Sequence, residues 1–217
     1  MALFEYFPNY IWNLSVAIAL ENGGKIGEIV DMCQPIKDAA ANGDDAGTGE
    51  FLVEWVKKAD TLVELAKEDL ASGREFSAGN KLKRASIYYV TAERMQGQGH
   101  PGRMETYKKA LTAFADGTGY ARDNIERVEI SYGEDKKLSA YLTQAEGEGP
   151  KPLVLFCNGL DSCKEMLWLG GFPYALAKRG ISCLCVDQPG TGEALRLEDL
   201  PATYASEEWA SAWVDWA

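Results

Sequence analysis

Histidine occurs once in this chain of 217 residues, as His100. A serine or cysteine becomes a nucleophile only when a base takes its proton. His100 sits in a Gly- and Pro-containing stretch, GQGHPGR, and reads as an ordinary loop residue. No serine has glycines two residues to either side, so a Gly-x-Ser-x-Gly elbow is missing too. Basic residues are outnumbered: 22 Lys and Arg face 33 Asp and Glu, a net charge of −11. That balance excludes a phosphate-binding surface and therefore a nucleic-acid partner. Long apolar runs are also lacking. The most apolar N-terminal stretch, Asn9 to Leu20, is too short to span a bilayer, and Glu5 rather than a basic residue precedes it. We read it as a core helix, with no membrane partner and a cytoplasmic location expected. The five cysteines (Cys33, Cys157, Cys163, Cys183, Cys185) are odd in number and show neither metal-ligand nor disulfide spacing. No metal or cofactor is expected, and a reducing compartment fits.

What is present is an ordinary globular composition, 46% apolar and 25% charged. From Pro8 to about Tyr120 the pattern is helical. Ile11, Leu14 and Ile18 share one face; Ile26, Ile29, Val30 and Cys33 continue until Pro35 divides the segment. Asn42 to Gly49 reads as a loop. Leu52, Trp55, Val56, Ala59, Leu62, Val63 and Ala66 form the clearest stripe, followed by Leu82, Ala85, Tyr89 and Ala92, then by Met104, Tyr107, Leu111 and Phe114. No fixed repeat period runs through them, so a small bundle is expected rather than a solenoid.

Near residue 122 the period changes. Val128, Ile130 and Tyr132 alternate with polar residues, and after a turn Leu138, Ala140 and Leu142 do the same, predicting an antiparallel hairpin. Lys151 to Arg196 then reads as strand, loop, helix, strand, loop. Pro152 to Cys157 is continuously apolar, as a parallel strand covered on both faces should be, and Cys157, Cys183 and Cys185 are placed inside buried strands. Ser162 to Glu165 has the S-x-x-E form of a capping box, predicting one helix from there to about Lys178, ended by Gly180. Ile181 to Val186 is the next strand, and Asp187 to Gly192 the next loop. For Glu193 there are two readings, one facing the pocket and one in solvent, and solvent is the one expected of a loop carboxylate. Ser206, Glu207 and Glu208 open a last helix, with Trp209, Trp213 and Trp216 on one face.

NGLDSCKE followed by VDQPGTGEA resembles the third and fourth strand ends of an α/β-hydrolase. More narrowly it resembles the group with a helical domain before the core, which includes 2,6-dihydroxypseudooxynicotine hydrolase, FrsA-like esterases and Ayg1-type polyketide-shortening hydrolases. The resemblance implies an α/β fold: a helical cap and dimerisation domain (1–122), then the first half, about four strands, of a hydrolase sheet (123–217). It implies a serine-dependent hydrolase acting on an ester or on a C–C bond next to a ketone, cut short before the nucleophile elbow. The nucleophile, acid and histidine are not in this chain. It also implies a small-molecule substrate once the missing half is present, and a possible homodimer through the helical domain. The loop after the third strand would supply backbone donors of the oxyanion hole, here Gly159, Leu160 and Asp161; alternatively Gly159 serves the turn, and Ser162 and Glu165 only cap a helix. Tyr88 or Tyr89 would line a pocket under the cap. In the family's strand order Pro152 to Cys157 becomes an open edge here. Cys163, in the first helical turn where a thiolate is stabilised, lacks a base and is not read as a nucleophile. The alternative function is a naturally shortened, non-catalytic protein that binds a partner through its helical domain.

Overall fold

The structure, a computed structural model, describes residues 5–43 and 47–217. The expected loop at Asn42–Gly49 lies partly outside them, as does the start of the expected helical domain. The chain forms two compact units, Met1–Asp123 and Asn124–Ala217.

The first unit is helical: α1 (Tyr10–Glu21), α2 (Ile26–Cys33), a 3₁₀ turn (Gln34–Ile36), α3 (Lys37–Ala40), α4 (Thr48–Ala71), α5 (Glu75–Arg94) and α6 (Arg103–Ala121). Pro35 falls at the start of the 3₁₀ turn, where its missing N–H costs nothing, and α2 ends before it. Helix α4 buries Phe51, Trp55, Ala59, Leu62 and Ala66 at three- and four-residue spacing. Aromatic packing links three elements: Trp12 meets Phe51 edge-on at 5.4 Å, Phe51 stacks on Trp55 at 4.8 Å, and Trp55 meets Tyr88 edge-on at 5.7 Å. Such pairs add about 0.5–1.5 kcal/mol each beyond the area they bury.

Helix α1 corrects the expected stripe. Trp12, Val16 and Ala19 are buried, whereas Ile11 is 54% and Leu14 38% exposed. The aromatic packing of Trp12 sets the rotation of the helix. Asn13 adds a polar lock, its side chain accepting from the amides of Tyr6 and Phe7 and donating to the Phe7 carbonyl. Aliphatic spacing alone chose the wrong face. Met104, counted in the α6 stripe, is likewise exposed.

Helices α5 and α6 meet backbone to backbone at Gly79 and Gly117. A Cβ on Gly79 would lie 2.6 Å from the Gly117 carbonyl oxygen and 2.8 Å from the Ala121 nitrogen. Alanine gains about 1 kcal/mol in helix propensity over glycine, but overpacking costs about 1–3 kcal/mol, and backbone neighbours cannot rotate away. Gly79→Ala is therefore expected to destabilise, by up to about 2 kcal/mol, seen as a lower urea midpoint; a higher midpoint would contradict the close approach.

The second unit contains β1 (Glu126–Tyr132), β2 (Lys136–Thr143), β3 (Leu153–Cys157), α7 (Lys164–Leu169), α8 (Phe172–Ala177), β4 (Ser182–Val186), α9 (Gly192–Arg196) and α10 (Ser206–Trp216). The sheet order is β1-β2-β4-β3. The β1–β2 hairpin is antiparallel, with Val128 opposite Ala140 and Ile130 opposite Leu138. β4 runs antiparallel to β2 and parallel to β3. One core joins Ile130, Leu138, Ala140, Leu184, Val186, Ala194 and Trp213. Trp209 packs on Trp213 at 4.5 Å, while Trp216, at the end of the expected face, is 38% exposed.

Three expectations are corrected in this unit. β3 is the outer strand of the sheet, the open edge that the family's strand order implied, so the expectation of a strand covered on both faces is the one corrected: its residues are only partly buried and Cys157 is exposed. The expected single helix from Ser162 to Lys178 is two short ones. Gly171 takes φ 79° and Pro173 opens α8, so the hydrogen-bond ladder is broken between them. No capping box forms: α7 begins at Lys164 with Cys163 as its extended flanking residue and no side-chain cap. The reason lies in what Glu165 does instead, described below.

Candidate functional site: the loops ending β3 and β4

Parallel strands in an open sheet bring their carboxyl-end loops side by side, and ligands bind there. Here those loops are Asn158–Cys163 and Asp187–Thr191. They are tied together by charge in the interior, centred on Asp187, which is fully buried. Its Oδ1 accepts from the Lys164 amide at 2.7 Å and from the Asn158 side chain at 2.8 Å. Its Oδ2 accepts from the Glu193 amide at 2.9 Å and from the Lys164 ammonium at 3.0 Å. Burial pushes the Asp187 carboxyl up, and the Lys164 ammonium and the Glu193 amide oppose that.

Lys164 is itself fully buried. Besides Asp187 its ammonium pairs with Glu165 at 2.7 Å and with Glu193, and it lies 4.9 Å from the centre of the Tyr141 ring. A buried ammonium survives only with such compensation. Glu165, read from sequence as a cap, is instead a fully buried partner of Lys164. Glu193 corrects the expectation of solvent exposure, being 6% exposed. Arg127 from β1 holds it with two bonds at 2.6 and 2.8 Å, and the Ser139 hydroxyl donates a third. Burial alone would raise the Glu193 carboxyl; the Arg127 fork and the Lys164 ammonium outweigh it and bring it down to about 2.

That depression carries a pH dependence. A carboxyl lowered from 4.5 to about 2 on folding contributes stability present above pH 4.5 and lost as pH falls toward 2. The contribution is about 3 kcal/mol. Glu193→Gln is thus expected to cost about that much at pH 7 and little at pH 2.5. Urea unfolding of both forms at the two pH values checks it, and an equal loss at both would refute it.

Between the two pins the loop makes few bonds of its own. Gln188 clamps its first residue, accepting from the Asn158 amide at 3.0 Å and donating to the Asn158 carbonyl at 2.7 Å. Among the described residues, the amides of Gly159, Leu160 and Asp161 have no hydrogen-bond acceptor. Leu160 is 89% exposed and Asp161 is left-handed at φ 58°. A Cβ on Gly159 would meet nothing within 4 Å, and its φ is not left-handed, so the turn itself does not require glycine. Cys163 is 2% exposed; burial, then Glu165 and Asp187, push its thiol well up. The expected stabilisation of a thiolate there is corrected: burial first, and then the flanking carboxylates, disfavour the charged form.

The end of the second loop is shaped by the glycine that opens α9. Gly192 has φ 41°, and a Cβ there would stand 2.0 Å from Asp187 Oδ2. Sequence reading named the two loops but missed Lys164, Glu165, Glu193 and Arg127 as one cluster. A Lys-Glu pair directly after an apolar strand and a tight loop, with Asp ending the next strand, was the available signal.

In the helical unit, Tyr88 is fully buried, accepting from the Lys25 amide and donating to Glu28. Tyr89 donates to Asp60 and lines a 620 Å³ cleft between α4 and α6 with Val63, Leu82 and Lys109. His100 has Nδ1 2.7 Å from the Pro101 carbonyl oxygen. All five cysteines are free. Among the described residues no cluster of His, Cys, Asp and Glu could hold a metal, and no helix is long and apolar enough to cross a membrane.

A mixed sheet with a parallel β3–β4 pair, an antiparallel hairpin before it and two loops meeting at the strand ends is the pattern of an α/β-hydrolase. The crystal structure of the 2,6-dihydroxy-pseudo-oxynicotine hydrolase shares this fold with a TM-score of 0.70 at 21% identity, over 91% of this chain and 52% of that one. Residues 45–201 match the model of the FrsA-like family (esterase FrsA-like), and the chain belongs to that family. It is 26% identical over 209 residues to the α/β hydrolase gkaG of Penicillium citrinum, covering 93% of this chain and 47% of gkaG. It is 28% identical over 145 residues to esterase FrsA of Vibrio cholerae, covering 67% and 34%. With the 2,6-dihydropseudooxynicotine hydrolase of Paenarthrobacter nicotinovorans it shares 26% over 166 residues, covering 74% and 42%. The chain spans about half, or less, of the length of these relatives.

Proposed function

We propose that this chain is the N-terminal portion of a serine-dependent α/β-hydrolase that acts on a small-molecule ester or on a C–C bond next to a ketone. The Gly159–Asp161 loop supplies backbone donors to the oxyanion. The observation that carries this reading is three consecutive amides without acceptors, on a loop pinned at both ends. Such donors, fixed in advance, stabilise the negative charge that develops on a carbonyl oxygen under attack. The nucleophile, acid and histidine belong to the part of the enzyme beyond these residues; the single His100 and the missing serine elbow support that division. The helical unit is read as the cap and dimerisation domain of that enzyme.

The test uses the protein that carries the nucleophile. Leu160→Pro removes one amide N–H from the loop. Loss of an oxyanion donor costs about 10²–10³ in kcat, so that loss is expected with KM little changed. Leu160→Ala, which trims an exposed side chain, should leave kcat intact. Full activity in Leu160→Pro would rule out the Leu160 amide as a donor.

A further inference from the structure

We infer that Lys164 is the positioning residue of the Asn158–Cys163 loop, acting through Asp187 and never touching substrate. The inference rests on the oxyanion reading of that loop. A loop whose middle amides are unbonded has no ladder of its own to hold it, and the one backbone bond inside it runs from the Ser162 amide to the Gly159 carbonyl, at 3.3 Å. Its order must come from its ends. Both ends converge on one carboxylate, because Asn158 donates its side-chain amide and Lys164 its backbone amide to the same Asp187 Oδ1.

That carboxylate can serve two amides only if its own orientation and charge are fixed. The Lys164 ammonium does both, bonding Asp187 Oδ2 and Glu193 Oε1 while Glu165 Oε1 lies within ion-pair distance at 2.7 Å. Arg127 holds Glu193 in turn. Lys164 thus contributes twice, its amide ending the loop and its side chain locking the acceptor that the amide uses. An uncharged residue would keep the first contact and lose the lock. The second loop is tied to the same carboxylate through the Glu193 amide, and Gln188 adds two bonds of its own to Asn158, so Asp187 fixes the Lys164 end of the first loop while the Asn158 end has both ties.

NMR of the purified chain reads this tie without any catalysis. In the unmodified protein the amides of Gly159, Leu160 and Asp161 are expected to show order parameters of about 0.8 or more, the rigid-backbone range, despite making no hydrogen bond. The amides of Lys164 and Glu193, which have no helical acceptor, should exchange slowly. Loop order parameters below about 0.6 in the unmodified protein, or free exchange at Lys164 and Glu193, would overturn the inference. In Lys164→Met the loop values should fall below about 0.6 while the Val128 and Ile130 amides of the hairpin stay protected. A folded Lys164→Met with a loop as rigid as before would overturn it as well. If that variant does not fold, the unmodified protein decides. Failure of the oxyanion role is a separate result, read from the kcat of Leu160→Pro.

Discussion

Replacing Lys164 with methionine is expected to cost the Asn124–Ala217 unit about 3–5 kcal/mol, the range for breaking one side of a buried ion pair. Methionine matches the stem closely, so packing changes little and the loss is electrostatic. Asp187 and Glu165 would be left in the interior without their cation, and only Glu193 keeps a partner, in Arg127. Domain stabilities are themselves about 5–15 kcal/mol, so the variant should be near its unfolding threshold at 25 °C. Adding Glu165→Gln should recover part of the loss, since one unpaired charge is then gone and, among the described residues, the Glu165 oxygens accept no hydrogen bond that the amide would lose. Urea unfolding followed by tryptophan fluorescence measures both, with Trp168, Trp209, Trp213 and Trp216 in this unit. A loss under 1 kcal/mol in Lys164→Met would mean that the cluster is open to water.

Gly192→Ala should be comparably severe for a different reason. The added carbon would stand 2.0 Å from Asp187 Oδ2 and 2.1 Å from its Cγ, and the backbone is left-handed at φ 41°. Left-handed strain costs about 1–3 kcal/mol and overpacking a similar amount, giving about 2–6 kcal/mol together. The Asp187 carboxylate cannot swing aside without releasing the four donors that hold it. Gly159→Ala is the control. Its new carbon meets nothing, so stability should stay within about 0.5 kcal/mol. Equal effects at the two glycines would contradict the geometry; different ones separate a glycine the fold needs from one it does not.

The parts of this fold legible in the sequence were those set by period. The change from helical stripes to alternation gave the β1–β2 hairpin, and Pro35 gave the end of α2. Where aromatic and polar packing outweighed aliphatic spacing, as at Trp12 and Asn13, the stripe pointed to the wrong face. The double glycine at 170–171 followed by Pro173 marked a helix break that the capping pattern concealed. At the site, the loops were visible because glycine, proline and aspartate punctuate them. The cluster was not, because Arg127, Lys164 and Glu193 come from three distant segments, and Lys and Glu are by default surface residues. Only the sheet order brings them together.

The most direct test is the intact mass of the native protein after reaction with a fluorophosphonate, which forms a covalent adduct with an activated serine. A hydrolase that uses this chain as its oxyanion half should appear well above 23.8 kDa and carry one adduct, on a serine outside these 217 residues. A native protein of 23.8 kDa that takes up no adduct would contradict that reading and point to a partner-binding role for the helical unit.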